Sequence, residues 1–299
     1  MNLRPHSIAV LGVTGQLGQE ICRKLGPAAV PLHRNTADLN NFGKLHTALI
    51  TLRPDVVINC AAWTNVDAAE GAPEACHAVN AHAVRQLATS CNDISATFVQ
   101  LSTDYVYGGT KNRVVPYAEA DLASPVNTYG ASKLAGEIAA SQAKKNLIVR
   151  TSGLYSVSDR GPVRGRNFAD TMLCLARDKR DVKIVGDQHC TPSFVPHVAD
   201  GILNLLLKQS RGLFHVVNTG STTWHGFASA LFQAAGISVT TQKITSDQFP
   251  AAALRPLFSV LSTDKFVAST GRSLPDWRTG IAEYIKSMKP HLSRMERVA

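Results

Sequence analysis

The 299-residue sequence predicts an α/β protein: a doubly wound parallel sheet with helices on both faces, followed by a smaller mixed C-terminal region. Three observations carry this prediction. Short apolar runs alternate with helical stretches through the first half, the first run passes through a glycine-rich turn straight into a helix, and the regular alternation ends after Arg150. Parallel strands need crossovers, and strands buried on both faces read as near-continuous apolar runs, as residues 7–11 and 55–60 do.

Taken in order, the strand at 7–11 leads into Gly12-Val-Thr-Gly15-Gln-Leu-Gly18 and a helix over 19–25. A strand then fits 29–32, a helix 42–52, a strand 55–60 and an alanine-rich helix 74–91. The strand 97–102, a loop through Pro116 and Pro125, a helix over 129–143 and a strand at 147–150 complete the alternation. Beyond it come a Gly- and Arg-rich loop at 159–166, a helix over 167–177, and an irregular segment at 187–196 holding Pro192 and Pro196. A helix at 197–207, a strand at 213–218 and a helix at 224–235 follow.

Composition narrows the function classes. Lys and Arg number 31 against 22 Asp and Glu, a formal charge of +9, and 44% of residues are hydrophobic, enough for a real core. Charged residues are 18% of the chain, which excludes the disordered class. The longest apolar runs, at 8–11 and 202–207, are far shorter than the roughly 20 residues of a membrane helix, and the N-terminus lacks a signal-type core and cleavage site. A cytoplasmic location is therefore expected. The six cysteines form no Cys-x-x-Cys pair, and His189 and His197 lack partners at ligand spacing, so no metal is assigned. No basic run is interleaved with aromatics, so the positive charge is better matched to a phosphate-bearing small ligand than to nucleic acid or membrane.

Gly12, Gly15 and Gly18 sit between a predicted strand and a predicted helix, the context in which a glycine turn reads as a dinucleotide site. One glycine allows the tight turn, one lets backbone N–H groups approach a pyrophosphate, and one lets helix pack closely on strand. The fold class sharpens to Rossmann-type. An acid commonly ends the second strand and binds the ribose 2′-hydroxyl of NAD, but here the strand end reads Leu32-His33-Arg34. Asp38 and Leu39 fall beyond it, on the adenine side. Arg34 suits a 2′-phosphate, so NADPH is expected, with NADH as the alternative.

Tyr129-Gly-Ala-Ser-Lys133 sets a phenol and an ammonium on one face of a predicted helix. A nearby cation favours phenolate, so Lys133 is expected to lower the Tyr129 pKa toward the range useful for acid–base work. The strand 97–102 runs into Thr103 and Asp104, at the end of a parallel strand that faces the ligand crevice.

These motifs give the chain a family resemblance over about residues 8–277. With Arg53-Pro-Asp-Val-Val-Ile-Asn59, Ala61-Ala-Trp-Thr-Asn-Val-Asp-Ala-Ala-Glu70, Ser102-Thr-Asp-Tyr-Val-Tyr107, Arg150-Thr-Ser152, Asn167-Phe168, Asp187-Gln188, Thr223-Trp224 and Arg255-Pro256, it resembles the extended short-chain dehydrogenase/reductases. Within them it is most similar to the dTDP-4-dehydrorhamnose reductases. The resemblance implies reduction of the C4 ketone of a nucleotide-linked 4-keto-6-deoxy sugar by NAD(P)H. Gly15, Gln16 and Leu17 would hold the cofactor pyrophosphate, and Ala62, Trp63 and Thr64 would line the cofactor. Tyr129 would protonate the nascent oxygen, Lys133 would bind the nicotinamide ribose, and Thr103 with Asp104 would hydrogen-bond the sugar. Asn167 and Arg255 are placed on the substrate side, with Arg164 and Arg166 as further candidates for the substrate pyrophosphate and Asn80 as a candidate for a water relay.

Two positions depart from the family pattern. The tryptophan that usually follows Arg-Thr-Ser and packs on the substrate is Gly153 here, and Cys190 replaces a glycine in Asp187-Gln-His-Cys-Thr-Pro-Ser193. Trp224 is read as an anchor of the smaller region. The expected division is a cofactor-binding domain at 1–151, with returning segments from 182–217, and a substrate-binding region at 152–299. The expected partner is a nucleotide sugar, not nucleic acid or membrane, and a homodimer is left open. The competing functions are a nucleotide-sugar epimerase or dehydratase that retains NAD, and a non-catalytic NADP-binding regulatory subunit; intact Thr103, Tyr129 and Lys133 argue against the second.

Overall fold

The computed structural model describes residues 7–157, 166–178 and 181–296. The first half runs β1 (Ile8–Leu11), α1 (Gln16–Leu25), β2 (Ala29–Leu32), α2 (Phe42–Leu52), β3 (Val56–Asn59), α3 (Val66–Gly71) and α4 (Pro73–His77). It continues with a π-helical turn (Ala78–His82), α5 (Ala83–Asp93), β4 (Thr97–Thr103), α6 (Thr128–Ala140) and β5 (Asn146–Thr151). The remainder comprises β6 (Leu154–Tyr155), α7 (Phe168–Asp178), β7 (Asp181–Val185), β8 (His189–Cys190), β9 (Ser193–Phe194), α8 (Val195–Leu207) and β10 (Gly212–His215). It ends with β11 (Thr222–Thr223), α9 (Trp224–Ala235), β12 (Thr240–Ile244), α10 (Asp264–Thr270) and α11 (Trp277–Glu296).

The main sheet is six-stranded and parallel, in the order β10-β5-β4-β3-β1-β2. Its direction of winding reverses at β1, which has β2 on one side and β3 on the other, and such a switch point opens a crevice at the carboxyl ends of the strands. One face is covered by α1 and α8 through Leu17, Ile21, Val198 and Ile202. Leu45, Leu49, Val84, Leu87 and Ala139 of α2, α5 and α6 cover the other. A third apolar cluster, from Leu173, Phe227, Leu231, Trp277 and Tyr284, holds α7, α9 and α11 together on the C-terminal side.

Several boundaries differ from the sequence expectation, for identifiable reasons. The first helix starts at Gln16, three residues early, because Gly15 is extended and serves as its N-cap. The long helix expected over 74–91 is broken by the π turn, against which α6 packs so tightly that a Cβ on Gly136 would strike the Asn80 carbonyl oxygen. The segment 187–196 is not irregular throughout: it holds β8 and β9, and α8 begins at Val195 with Pro196 in its first turn, where a missing N–H costs nothing. The strand expected at 213–218 is β10, which returns to the main sheet beside β5.

A buried ion pair ties helix to sheet. Arg150 of β5 donates to both carboxylate oxygens of Glu137 on α6, at 2.8 and 2.6 Å, with side-chain exposures of 4% and 7%. Ser102 also donates to Glu137, and Arg150 reaches the Tyr107 hydroxyl. Removing one partner strands the other as an unpaired buried charge, whereas removing both replaces charge by apolar packing. Arg150→Met is therefore expected to lower the unfolding free energy by about 3–5 kcal/mol, and Arg150→Met with Glu137→Leu to regain most of it, as read by urea denaturation. A double variant no more stable than the single one would refute this account.

Candidate active site

The turn after β1 works by backbone proximity. Gly12 has φ 75°, and a Cβ there would lie 2.5 Å from the Ala61 backbone nitrogen. A Cβ on Gly18 would collide with the Gly12 carbonyl oxygen. The Gly15 N–H donates to that oxygen at 3.0 Å, and no side chain caps the first turn of α1, so its leading N–H groups suit an anion. These three glycines form a cradle that side chains would fill.

Two hollows meet at this cradle, one of about 620 Å³ and one of about 540 Å³. Thr14, Gly15, Cys60, Ala62 and Thr64 line both, so together they make one elongated trough across the switch point. The smaller hollow is lined by Gly12, Arg34, Asp38, Leu39 and Trp63. Arg34 is 80% exposed there, with its Nε 3.6 Å from Asp38. Asn80, on the π turn, grips the trough wall: it accepts from the Trp63 N–H at 2.9 Å and donates to the Trp63 carbonyl at 3.1 Å and to Ser132 at 2.9 Å.

The larger hollow brings Thr103, Tyr129 and Lys133 together with Gly15, Gln16, Leu17 and Gly18. Thr103 comes from the end of β4, while Asn127 caps α6 by accepting from the Gly130 N–H at 2.7 Å and so starts the helix that carries Tyr129 and Lys133. Lys133 Nζ donates to the Leu101 carbonyl at 2.6 Å. Burial pushes its pKa down to about 8, with Glu137 pulling the other way. Burial raises the Tyr129 pKa above that of a free phenol, opposed by a hydrogen bond with Thr103. This corrects the expectation of a lowered tyrosine: desolvation outweighs the Thr103 hydrogen bond, and Tyr129 is held as a protonated phenol.

Asp104 lines the same hollow but is only 3% exposed. It accepts from Ser259 at 2.6 Å, Ser152 at 2.9 Å and Thr103 at 3.2 Å. Burial raises its pKa to about 6 against those three hydroxyls. Its oxygens are thus held by the protein.

Two residues expected on the substrate side stand behind the lining of the hollows. Asn167 lines neither hollow; it accepts from the Asp170 N–H at 2.8 Å and donates to Gln16 at 3.0 Å and the Ser156 carbonyl at 3.2 Å. Arg255 also lies outside the lining, its guanidinium donating to both oxygens of Asp67 at 2.7 Å. Gln16 lines the hollow with a carboxamide oxygen that accepts from Ser156 and Asn167. Gly153, Leu154, Arg166 and Trp224 line the wall formed by the C-terminal half, and Arg164 lies outside the described residues. Ser152 and Ser259 are not among the candidate residues read from the sequence; Ser152 was within reach, since it directly follows β5, whose last residue Thr151 pairs with Thr103.

The match to known proteins is extensive. A family model described as "RmlD substrate binding domain" fits residues 6–289. The chain is 38% identical to a dTDP-4-dehydrorhamnose reductase of Burkholderia thailandensis, covering 94% of this chain and 98% of the relative. It is 35% identical to that of Salmonella typhimurium over the same shares. A crystal structure of the Bacillus anthracis dTDP-4-dehydrorhamnose reductase in complex with NADP superposes with a TM-score of 0.89 at 31% identity, covering 94% of this chain and 99% of that one. The family model and the near full-length similarity agree on one assignment: the chain belongs to the RmlD substrate-binding domain family.

Proposed function

We propose that this protein is an NADPH-dependent reductase of the C4 ketone of a nucleotide-linked 4-keto-6-deoxy sugar, converting dTDP-4-dehydrorhamnose to dTDP-L-rhamnose. The observation that carries the reading is the convergence of Thr103, Tyr129 and Lys133 in the hollow that continues into the glycine cradle. Relatives named as dTDP-4-dehydrorhamnose reductases, one of them crystallised with NADP, support it.

The residues present fit a dinucleotide. The uncapped N-terminus of α1 faces the pyrophosphate position, Ala62, Trp63 and Thr64 form the opposite wall, and Arg34 is exposed beside the smaller hollow where a 2′-phosphate would lie. The buried Thr151 hydroxyl has no hydrogen-bond partner among the described residues, and Thr151 belongs to the wall of the larger hollow. When bound, NADPH supplies the hydride that reduces the ketone.

Tyr129 then donates its proton to the oxygen that becomes the C4 hydroxyl, since the ketone oxygen gains negative charge as its carbon is reduced. Lys133, fixed by the Leu101 carbonyl, offers its remaining N–H bonds to the nicotinamide ribose and stabilises the phenolate left on Tyr129. Thr103 positions the phenol and a sugar hydroxyl. In this reading the segment through residue 151, with the returning β10 and α8, carries the cofactor, and 152–299 supplies most of the sugar side. The protein works in the cytoplasm as a small-molecule enzyme, and a homodimer is the assembly to test. No helix among the described residues is long and apolar enough to cross a membrane.

Purified protein is expected to oxidise NADPH stoichiometrically with dTDP-4-dehydrorhamnose, followed at 340 nm with product identification; isomerised sugar without oxidation would replace the reading by an epimerase. Tyr129→Phe should lower kcat by about 10²–10⁴-fold while keeping NADPH affinity. Lys133 is an ammonium below about pH 8 and a neutral amine above it, so kcat should fall on the alkaline side of about pH 8; a flat profile to pH 10 would contradict the role given to its charge. Arg34→Ala should weaken NADPH binding about tenfold and leave NADH unchanged, measured by fluorescence titration.

A further inference from the structure

Trp224 stands against Gly153 at the sugar end of the trough. Gly153 has φ 53°, a left-handed conformation, and a Cβ added to it would lie 3.2 Å from Cη2 of the Trp224 indole and 3.1 Å from the Pro192 Cα. The glycine therefore answers two demands at once, a backbone turn and room for a ring edge. Its neighbour Ser152 hydrogen-bonds Asp104, and Thr151 pairs in register with Thr103, so the indole edge lies within two residues of the strand ends that carry the proposed chemistry.

The ring is backed from the protein side. Trp224 opens α9, its indole centroid is 4.6 Å from the Phe168 ring and 6.5 Å from Phe227, and the side chain is partly exposed as a wall of the larger hollow. It is the tryptophan of that hollow; Trp63 lines the smaller one and Trp277 is buried in the core. Trp224 is thus both an anchor of the third apolar cluster and a surface of the trough.

We infer that Trp224 is a specificity-determining residue: its indole packs against the apolar face of the reacting sugar ring, through the gap that Gly153 leaves open. The inference rests on the proposed reductase reading. A pyranose has a face of C–H bonds and, in a 6-deoxy sugar, a methyl group, both of which gain from a flat apolar wall, whereas the diphosphate gains nothing from it. The sugar is chosen over the nucleobase because the ring meets Gly153 beside Thr103 and Ser152, where the reacting carbon must lie.

The test compares binding of dTDP-L-rhamnose and dTDP to the NADP-loaded protein by calorimetry, for the wild type, Trp224→Ala and Trp224→Phe. The sugar should strengthen binding to the wild type; Trp224→Ala should lose about tenfold in affinity for dTDP-L-rhamnose with dTDP affinity unchanged, and Trp224→Phe should keep most of it. An unchanged sugar preference in Trp224→Ala overturns the inference. Equal loss for both ligands also overturns it and assigns the ring to the nucleobase. A wild type that binds both ligands equally overturns it as well. Turnover of the wild type with NADPH, measured separately, tests the reductase reading without reference to Trp224, and Trp224→Phe with wild-type thermal stability separates contact from folding.

Discussion

The trough exists because two backbones approach at the end of β1 more closely than side chains would allow. Gly12 sits against the Ala61 nitrogen, and Gly18 sits against the Gly12 carbonyl. The register of β1 with β3 pairs Leu11 with Asn59, so the two chains leave the sheet side by side at the switch point. Asn59 then turns the second chain: its side chain accepts from the Ala61 N–H at 3.1 Å while donating to Gln100 at 2.9 Å. A larger residue at either glycine would part these segments, and with them the α1 N-terminus and the 62–64 wall. The cofactor surface follows from this contact more than from any charged group.

Helix α6 transmits that geometry to Tyr129 and Lys133. Ser132 meets Asn80, Lys133 meets the Leu101 carbonyl, Gly136 lies against the Asn80 carbonyl, and Glu137 meets Arg150 and Ser102. These contacts fix the helix along its length and about its axis, against the π turn on one side and β4 and β5 on the other. Tyr129, one turn before Lys133, inherits that orientation. The buried Glu137–Arg150 pair also places a negative charge one turn from Lys133, which holds the amine closer to its ordinary pKa than burial alone would.

Much of this was legible in the sequence because it depends on local spacing. The glycine turn, the Tyr129-to-Lys133 interval and the hydroxyls ending β4 are each fixed within a few residues, and a β-strand or helix translates that spacing directly into position. The destinations of Arg255 and Asn167 were not legible, since what an arginine binds is decided by a partner such as Asp67, far away in sequence and placed by tertiary folding. The tyrosine pKa failed for a related reason: a helical interval shows which charge is nearby but not how completely water is removed. The π turn was invisible too, because the pattern of residues 74–91 suits a continuous helix and only packing on Gly136 and the hydrogen bonds of Asn80 favour the wider turn.

The hydrogen-bond arithmetic around Thr103 defines its role more closely than its motif does. At neutral pH Asp104, with a pKa of about 6, is mostly a carboxylate and can only accept. The single Thr103 hydroxyl proton is directed to it at 3.2 Å, and the Thr103 oxygen accepts from the Tyr105 N–H at 3.2 Å. What Thr103 presents to the trough is therefore lone-pair density. A ketone oxygen, which has no proton to give, finds no donor in Thr103, while a hydroxyl that faces the trough is a suitable donor to it. The caged carboxylate thus acts at one remove: by taking the threonine proton it makes Thr103 an acceptor.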